Sequence, residues 1–211
     1  QKKYLGSISG RAAVITTFLS GQSPRIITSR HCGEVGKALA KLHLAGASFK
    51  RTRRNDFALG HWRSLTFSIS EEFGNIQLGL KEKIFSEISL LHELWPKNLP
   101  NGIIHGDLFP DNVFFQDDEV SGLIDFYFAC NDIFAYDLAI CITAWCFEEN
   151  IKFSGKKFNS LLKNYQNHRP LLDIELDALQ VLCRGSALRF LLTRCHDKIF
   201  MPGNALLKKK D

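Results

Sequence analysis

The chain has 211 residues, 45% of them hydrophobic and 23% charged, a composition typical of a globular protein with its own core. Its longest apolar stretches are far shorter than a membrane span, and no signal-type apolar segment follows the first residues. We therefore expect no membrane segment and a cytoplasmic location. The formal charge of +5 comes from widely scattered basic residues, which argues against a nucleic-acid surface. The six cysteines form no CxxC pair and are expected to be free, buried thiols.

The first elements along the chain are predicted to be a strand pair and a helix. Residues 6–18 indicate two short strands broken at Gly10. Over residues 29–44, apolar side chains recur at helical spacing with charged residues between them. This pattern predicts an amphipathic helix with one buried face.

A basic, polar stretch, residues 50–54, follows this helix. It leads by way of Trp62 to a second long helix, in which apolar residues recur from Ile76 to Leu91. Prolines just after it, the first being Pro96, are expected to end this helix.

The middle of the chain changes from a helical to an extended period. Residues 103–105 are predicted to form a strand, residues 106–111 a polar loop, and residues 113–126 a hairpin. Three helices are predicted after it, over residues 135–148, 154–168 and 174–200. The predicted fold class is therefore α+β, and its second half is mainly helical.

The loop contains the frame H-x-D-x-x-x-x-N, from His105 through Asp107 to Asn112, which is the spacing of a kinase catalytic loop. Phosphoryl transfer needs a carboxylate beside the acceptor hydroxyl and oxygen ligands for Mg²⁺ on the phosphates. We assign Asp107 to the acceptor, and Asn112 with Asp125 to the metal, because Mg²⁺ prefers few protein oxygens. His105 is expected to brace the loop.

Each of these residues also has a structural interpretation. Alone, Asp107 would more often be an Asx-turn residue, Asn112 a strand-start cap and His105 a core histidine. Together they favour chemistry, because loop, strand, turn, strand and Asp125 follow in the required order. Asp137 stands at the head of a predicted helix, where a cap is nearly as good an interpretation as a supporting role at the site.

The segments around these residues resemble the homoserine kinase branch of the aminoglycoside phosphotransferase-like kinases, which share the protein-kinase-like fold. The general frame is common to many small-molecule kinases, whereas residues 108–111 and 126–132 look particular to homoserine kinases. The segments that carry the resemblance are residues 34–40, 42–43, 104–115, 121–132, 135–141, 144–148 and 184–190.

The resemblance implies an α+β protein-kinase-like fold, represented mainly by the helical C-lobe. Residues 1–20 would be the last strands of the N-lobe and the hinge, and residues 21–211 the C-terminal catalytic lobe. In the hinge, backbone groups of Thr16, Thr17 and Phe18 would face the adenine of ATP. Complete family members have a phosphate-covering loop and a strand lysine earlier in the N-lobe. We therefore expect the sequence to be incomplete at its N-terminus, and also at its C-terminus, because family members continue past Lys210.

The implied reaction is phosphorylation of L-homoserine by ATP with Mg²⁺, a step towards threonine. Homoserine is a zwitterion, so its site should offer acidic or carbonyl groups to the ammonium and an arginine to the carboxylate. The candidates for the ammonium are Asp111, Tyr127, Asn131 and Asp132, and those for the carboxylate are Arg184 and Arg189. A surface or interlobe salt bridge is an equally good interpretation of either arginine.

Three other functions stay open at this point. A related kinase could act on choline, an aminoglycoside or a sugar, and a kinase-like module without catalysis would explain an incomplete N-lobe. Nucleic-acid binding is the weakest of the three, because no basic stripe or base-stacking motif accompanies the charge. The sequence does not indicate an oligomeric state.

Overall fold

The computed structural model describes residues 5–200, and within this range the chain is mainly helical. The strands are β1 Leu5–Ile8, β2 Arg11–Val14, β3 Asn101–Ile104, β4 Val113–Gln116, β5 Glu119–Leu123 and β6 Cys130–Ile133. The helices are α1 Ser29–Gly46, α2 Leu59–Ile69, α3 Phe73–Ile76, α4 Leu80–Leu94, α5 Phe134–Trp145, α6 Gly155–Gln166 and α7 Asp173–Phe200. The two units predicted from the sequence, residues 1–20 and 21–211, contain the first four and the last eleven residues of the chain. Those residues lie outside the described range.

The first two strands form an antiparallel hairpin, as the sequence predicted. Leu5 pairs with Val14 and Ile8 with Arg11. The two residues between the strands, Ser9 and Gly10, have φ angles of 51° and 76°. Positive φ at both central positions is typical of the type I′ turn, whose twist matches that of the flanking strands.

Helix α1 confirms the predicted amphipathic helix and extends it to Gly46. It begins with a reciprocal cap, in which the Thr28 hydroxyl accepts a hydrogen bond from the His31 N–H and the His31 ring accepts one from the Thr28 N–H. Its buried face packs on α6, most closely at Gly36, where a Cβ would overlap the carbonyl oxygen of Leu161. The absence of a side chain at this position therefore permits the close approach of the two helices.

The single long helix predicted to reach from Ile76 to Leu91 was wrong. Ile76 ends the short helix α3, and α4 begins after Gly79, whose φ of 73° is left-handed and interrupts the helical path. The prediction also missed α2, which carries the buried Trp62. The Trp62 indole meets that of Trp95 edge-on at 5.3 Å, so the apolar pattern of this region reflects packing between short helices.

The predicted catalytic region consists of two loops that connect one two-stranded sheet to another. Strand β3 pairs with β6, which the sequence analysis missed, and β4 pairs with β5. Residues 105–112 connect β3 to β4, and residues 124–129 connect β5 to β6. Because the connected strand ends are themselves paired, at Ile104–Cys130 and Val113–Leu123, these two connections run side by side.

Helix α5 lies in the centre of the hydrophobic core, with nine of its twelve residues buried. A helix that is apolar all round is one that is covered on every side. Its charged residue, Asp137, is completely buried. The three predicted helices of the second half are confirmed as α5, α6 and α7, with ends that differ from the prediction by at most three residues.

All six cysteines are free thiols, five of them buried and Cys183 half-buried, as the sequence predicted. Among the helices of residues 5–200, none combines the length and the apolar character needed to cross a bilayer.

Candidate active site

The loop from residue 105 to residue 112 brings Asp107 and Asn112 into contact. The side-chain amide of Asn112 donates to the carbonyl oxygen of Asp107 at 2.8 Å and lies 3.5 Å from its carboxylate. The Phe109 N–H donates to the same carbonyl oxygen at 2.8 Å, and Pro110–Asn112 form a single 3₁₀ turn. Asp107 is half-buried and Asn112 is buried. The two residues therefore lie together in one compact turn that is fixed mainly through the backbone of Asp107.

The middle of this loop is anchored in the core by Leu108. Its side chain is fully buried, and its carbonyl oxygen accepts a hydrogen bond of 2.7 Å from the indole N–H of Trp145 on α5. The apolar residue that follows Asp107 thus holds the loop down while the polar residues around it stay nearer the surface.

His105 connects the two neighbouring loops. Its Nε2 lies 2.9 Å from the carbonyl oxygen of Ile124, and its Nδ1 lies 3.3 Å from the N–H of Asp107. Because a carbonyl oxygen can only accept and an N–H can only donate, these partners require the neutral ring with its proton on Nε2. The ring is buried, and its two contacts join the loop to the backbone of Ile124.

Asp137, which is buried in the first turn of α5, supports the same loop from the side of the core. Its two carboxylate oxygens accept hydrogen bonds of 2.8 Å from the N–H groups of His105 and Gly106, and His43 lies 3.1 Å away through its Nε2. Although Asp137 stands in the first turn of α5, these bonds go to the loop and not to the end of its own helix. Burial would raise the pKa of this carboxyl group, but the hydrogen bond from His43 and the N–H of Gly106 hold its pKa below the ordinary value.

Asp125 stands in the adjacent loop, next to Asn112. The Ile124 N–H donates to the carbonyl oxygen of Asn112 at 3.0 Å, which places the following Asp125 beside it. Asp125 has a left-handed backbone, with φ of 61° and ψ of 57°, and its carboxylate accepts a hydrogen bond from the Tyr127 N–H. This conformation is uncommon outside glycine, although aspartate tolerates it, and it turns an exposed carboxylate away from the strand.

The two predicted substrate arginines lie on different faces of α7. They are five residues apart, which corresponds to a rotation of about 140° around a helix. Arg184 donates to both carboxylate oxygens of Glu87 on α4, at 2.8 and 2.6 Å, and this ion pair raises the pKa of its guanidinium. The structure does not bring Arg184 to the catalytic loop, and the contacts that it shows are those of a bridge between two helices.

Arg189, in contrast, contacts the catalytic loop directly. Its guanidinium donates to the carbonyl oxygen of Gly106 at 2.5 Å. The same group lies 5.1, 5.7 and 4.6 Å from the ring centres of Phe57, Phe128 and Phe190. Only 4% of the residue is exposed. Arg189 therefore holds the loop at Gly106, from within an aromatic cage.

Asn131 and Asp132, predicted to meet a substrate ammonium, hold another segment of the chain. The Asn131 side-chain oxygen accepts from the Arg53 N–H at 2.9 Å, and the Asn131 N–H donates to the Arg53 carbonyl oxygen at 2.8 Å. Asp132 accepts a hydrogen bond of 2.6 Å from the side chain of Asn55. The sequence analysis missed Arg53 and Asn55 as neighbours of the site, although the basic stretch 50–54 was a signal.

The other two candidates for the ammonium are exposed at the edges of the two loops. Asp111 follows Pro110 in the 3₁₀ turn, and its carbonyl oxygen accepts a hydrogen bond from the Ser23 hydroxyl at 3.3 Å. Tyr127 is 72% exposed, and the guanidinium of Arg53 lies 5.8 Å from the centre of its ring. Both residues therefore border the loops that carry Asp107 and Asp125.

The predicted hinge, Thr16 to Phe18, is exposed and has no regular secondary structure. The residues directly after it are fixed to the hairpin β4–β5. The Ser121 hydroxyl donates to the Ser20 carbonyl oxygen at 2.6 Å, and Gln22 and Phe115 exchange two backbone hydrogen bonds of 3.0 and 3.1 Å. The hinge segment thus ends beside the hairpin that follows the catalytic loop.

A cavity of about 510 Å³ lies beside the turn of the hairpin β4–β5. It is lined by the linker 22–26, by His31 at the start of α1 and by the turn residues Asp117 and Asp118. None of the residues assigned to catalysis or to the metal lines it.

The family model that matches this chain is described as the phosphotransferase enzyme family, and it covers residues 3–171. Proteins named homoserine kinase are similar over 207 residues, or 98% of the chain. The one from Rhizobium johnstonii is 50% identical and the one from Agrobacterium fabrum 51%. In both comparisons the chain spans 64% of the relative's own length.

Two solved structures have the same fold at low sequence identity. An aminoglycoside phosphotransferase from Alicyclobacillus acidocaldarius has a TM-score of 0.69 and 18% identity, covering 95% of this chain and 66% of that one. An ethanolamine kinase from Plasmodium vivax has a TM-score of 0.66 and 16% identity, covering 88% of this chain and 60% of that one. These likenesses confirm the predicted α+β, protein-kinase-like fold. With a family model matching most of its length, this chain belongs to the phosphotransferase enzyme family.

Proposed function

We propose that the protein transfers the γ-phosphoryl group of ATP to the side-chain hydroxyl of L-homoserine, giving O-phospho-L-homoserine for threonine synthesis. The observation that carries this proposal is the position of Asn112, which is bonded to Asp107 on one side and to the Asp125 loop on the other. A carboxylate for the acceptor thus lies beside two oxygen ligands for a metal, as phosphoryl transfer requires. The relatives named homoserine kinase support this acceptor.

In this proposal Asp107 accepts a hydrogen bond from the homoserine hydroxyl, aims it at the γ-phosphate and takes up its proton late in the transfer. The assignment fits the local structure, since the loop is held through the carbonyl oxygen of Asp107 and through its neighbours. His105, Asp137 and Arg189 fix the backbone just before it, and Trp145 fixes the backbone just after it at Leu108. A rigid backbone with a half-buried carboxylate suits a group that must orient one hydroxyl.

The residues present fit Mg²⁺, with Asn112 and Asp125 as its protein ligands. The amide nitrogen of Asn112 is directed at Asp107, which leaves its side-chain oxygen for a cation. Among residues 5–200, no three His, Cys, Asp or Glu side chains are grouped to hold a metal alone. This agrees with Mg²⁺, which commonly takes one or two protein oxygens and completes its shell with phosphate and water. When bound, the ion would neutralise charge on the phosphates.

Removing either ligand is expected to raise the Mg²⁺ requirement. In the complete protein, Asn112→Ala and Asp125→Ala should each raise the Mg²⁺ concentration for half-maximal activity by about 10-fold or more. The measurement is a Mg²⁺ titration of the rate at saturating ATP. Asp117→Asn is the matched control, because Asp117 is an exposed carboxylate at the hairpin turn with a positive φ that asparagine tolerates. An unchanged metal dependence would exclude the two residues as ligands.

We place the adenine of ATP against the backbone of Thr16, Thr17 and Phe18. Two observations support this position. Phe18 is 92% exposed, and the residues that follow it are bonded to the hairpin β4–β5, which leads directly from the catalytic loop. An exposed aromatic side chain at this place is consistent with a surface that a ligand or another part of the protein covers.

The acceptor can be identified with a panel of hydroxylated compounds. The related folds belong to an ethanolamine kinase and an aminoglycoside phosphotransferase, so the panel should include L-homoserine, choline, ethanolamine, an aminoglycoside and a sugar. We expect kcat/KM for L-homoserine to exceed the others by about 100-fold or more, because a site built for a zwitterion leaves charges unpaired with other acceptors. A preference for another compound would replace homoserine, and phosphorylation of none would favour a kinase-like module without catalysis.

We also propose a cytoplasmic location. The six free thiols support it, because cysteines remain reduced in that compartment and tend to pair outside it.

A further inference from the structure

A homoserine carboxylate needs a cationic partner near Asp107, and the two arginines expected from the sequence do not supply one. Arg184 is paired with Glu87 on α4. Arg189 is only 4% exposed, is enclosed by aromatic rings and already donates to the Gly106 carbonyl oxygen, while its buried Nε has no hydrogen-bond partner among residues 5–200. A ligand would have to displace this cage to reach Arg189.

Arg53 lies directly against the loop that carries Asp125. Its guanidinium donates to the carbonyl oxygen of Tyr127 and lies 5.8 Å from the centre of the Tyr127 ring. The N–H of Tyr127 donates in turn to the Asp125 carboxylate. Tyr127 therefore contacts both the guanidinium of Arg53 and the carboxylate of Asp125, the proposed metal ligand.

The same loop joins Arg53 to the catalytic loop. Phe128, which follows Tyr127, packs on Gly106, where an added Cβ would lie 3.1 Å from the Phe128 carbonyl oxygen. Gly106 precedes Asp107 and has a φ of 76°, so it permits this close approach. Arg53 and Gly106, the residue before Asp107, therefore both contact the short loop that carries Asp125, at Tyr127 and Phe128.

The backbone of Arg53 is fixed while its side chain stays accessible. Asn131 binds both the N–H and the carbonyl oxygen of Arg53, at 2.9 and 2.8 Å. The Arg53 side chain is nevertheless 49% exposed, and its carboxylate partner, Asp56 at 3.2 Å, is 65% exposed. An ion pair so open to water is weak, and a ligand carboxylate can replace it at little cost. A guanidinium that is already positioned loses little freedom when it binds.

We propose that Arg53 binds the carboxylate of the acceptor and so selects an amino acid over amino alcohols without that group. This inference rests on the proposed function and specifies its acceptor site. The planar guanidinium suits a carboxylate because it can donate two parallel hydrogen bonds. Asn131 then acts as a positioning residue, because it fixes the backbone from which the side chain of Arg53 extends.

The test compares two acceptors, L-homoserine and 3-aminopropan-1-ol, which has the same hydroxyl and amine but no carboxylate. In the complete protein, Arg53→Ala is expected to lower kcat/KM for L-homoserine by ~10–100-fold, the usual effect of losing a charge-assisted hydrogen bond. The value for 3-aminopropan-1-ol should fall much less, so the discrimination between the two acceptors shrinks. The KM for ATP should not rise together with the KM for L-homoserine.

Two further variants control for folding and for charge. Arg53→Lys keeps the positive charge but not the planar guanidinium with its two parallel donors. It should give an intermediate loss of kcat/KM for L-homoserine. Arg54→Ala removes the neighbouring arginine, an exposed residue at an isolated bridge to Asn131, and it should leave the discrimination intact. Melting temperatures of all three variants identify any general loss of structure.

The outcomes separate the two proposals. If the wild-type protein phosphorylates L-homoserine and neither Arg53 variant changes the discrimination, the inference is overturned and the proposed function stands. Equal losses for both acceptors, or a matching rise in the KM for ATP, would also overturn it. If the wild-type protein does not phosphorylate L-homoserine at all, both proposals fail.

Discussion

Changing Asp107 to Asn in the complete protein is expected to lower kcat by about 10²–10⁴-fold, because the acceptor hydroxyl then loses its oriented base. Asparagine has nearly the same shape, and the loop is fixed through the carbonyl oxygen of Asp107, which the substitution keeps. ATP affinity and the melting temperature should therefore change little. Steady-state rates, together with ATP titration by calorimetry, measure the two effects separately.

The control for this variant is Asp117→Asn, which removes an exposed carboxylate from the hairpin turn without touching the loop. Its kcat should stay within about twofold of the wild-type value, as expected of a surface substitution away from the site. Near-normal turnover in the Asp107 variant would remove Asp107 from the mechanism. A parallel loss of ATP binding would instead indicate that the carboxylate serves the nucleotide side of the site.

The catalytic region could be predicted from the sequence because its elements are local. The strand, the loop and the hairpin from residue 103 to residue 126 follow one another, and each is marked by a change of period or by turn residues. Asp107 and Asn112 are only five positions apart, so their contact follows from the length of one turn. The position of Asp137 at the head of α5 predicted a helix cap almost as well as a supporting role, and its bonds to the N–H groups of His105 and Gly106 could not be predicted from that position.

The surroundings of the site could not be predicted, because they depend on contacts between distant parts of the chain. Strand β6 is short and half polar, and it becomes a strand only by pairing with β3. The bonds from Arg53 to Asn131 and from Arg189 to Gly106 join residues 78 and 83 positions apart. No periodicity records such pairings, so the sequence pattern predicted neither contact.

A chain of buried polar groups extends from the catalytic loop through four helices. Asp137 of α5 is bonded to His43 of α1, and the other ring nitrogen of His43 lies 2.8 Å from the hydroxyl of Tyr165 on α6. Arg169 then joins Tyr165 to Glu175 near the start of α7, at 3.2 and 3.0 Å. Because buried polar groups are costly when unpaired, the loop and the helices are stabilised together.

Removing the carboxylate at the loop end of this chain is expected to have a large effect on stability. Asp137→Ala leaves the N–H groups of His105 and Gly106 and the Nε2 of His43 without their partner. We expect the free energy of unfolding of the complete protein to fall by about 3–5 kcal/mol, because each buried donor left without its acceptor costs about 1–3 kcal/mol. Urea denaturation measures this loss, and kcat should fall with it because the loop carrying Asp107 is no longer fixed.

The pH dependence of this effect follows from the lowered pKa of Asp137. A carboxyl group whose pKa is lower in the folded than in the unfolded protein stabilises the fold above its unfolded pKa, about 4 for aspartate. This stabilisation is lost as the pH falls through the folded pKa. The difference in unfolding free energy between the wild-type protein and Asp137→Ala should therefore be constant near neutral pH and shrink in acid below about pH 4.

Tyr165→Phe tests whether Asp137 acts on the loop itself or only on general stability. This variant breaks the chain between His43 and Arg169 but leaves both bonds from Asp137 to the loop in place. It should lower the free energy of unfolding by about 1–3 kcal/mol, the cost of leaving buried partners unpaired, while kcat below the melting range stays close to normal. Asp137→Ala should lower kcat at temperatures where it is still folded, with little change in the KM for ATP. Equal effects of the two variants on kcat would contradict a positioning role for Asp137, because the loop contacts survive in only one of them.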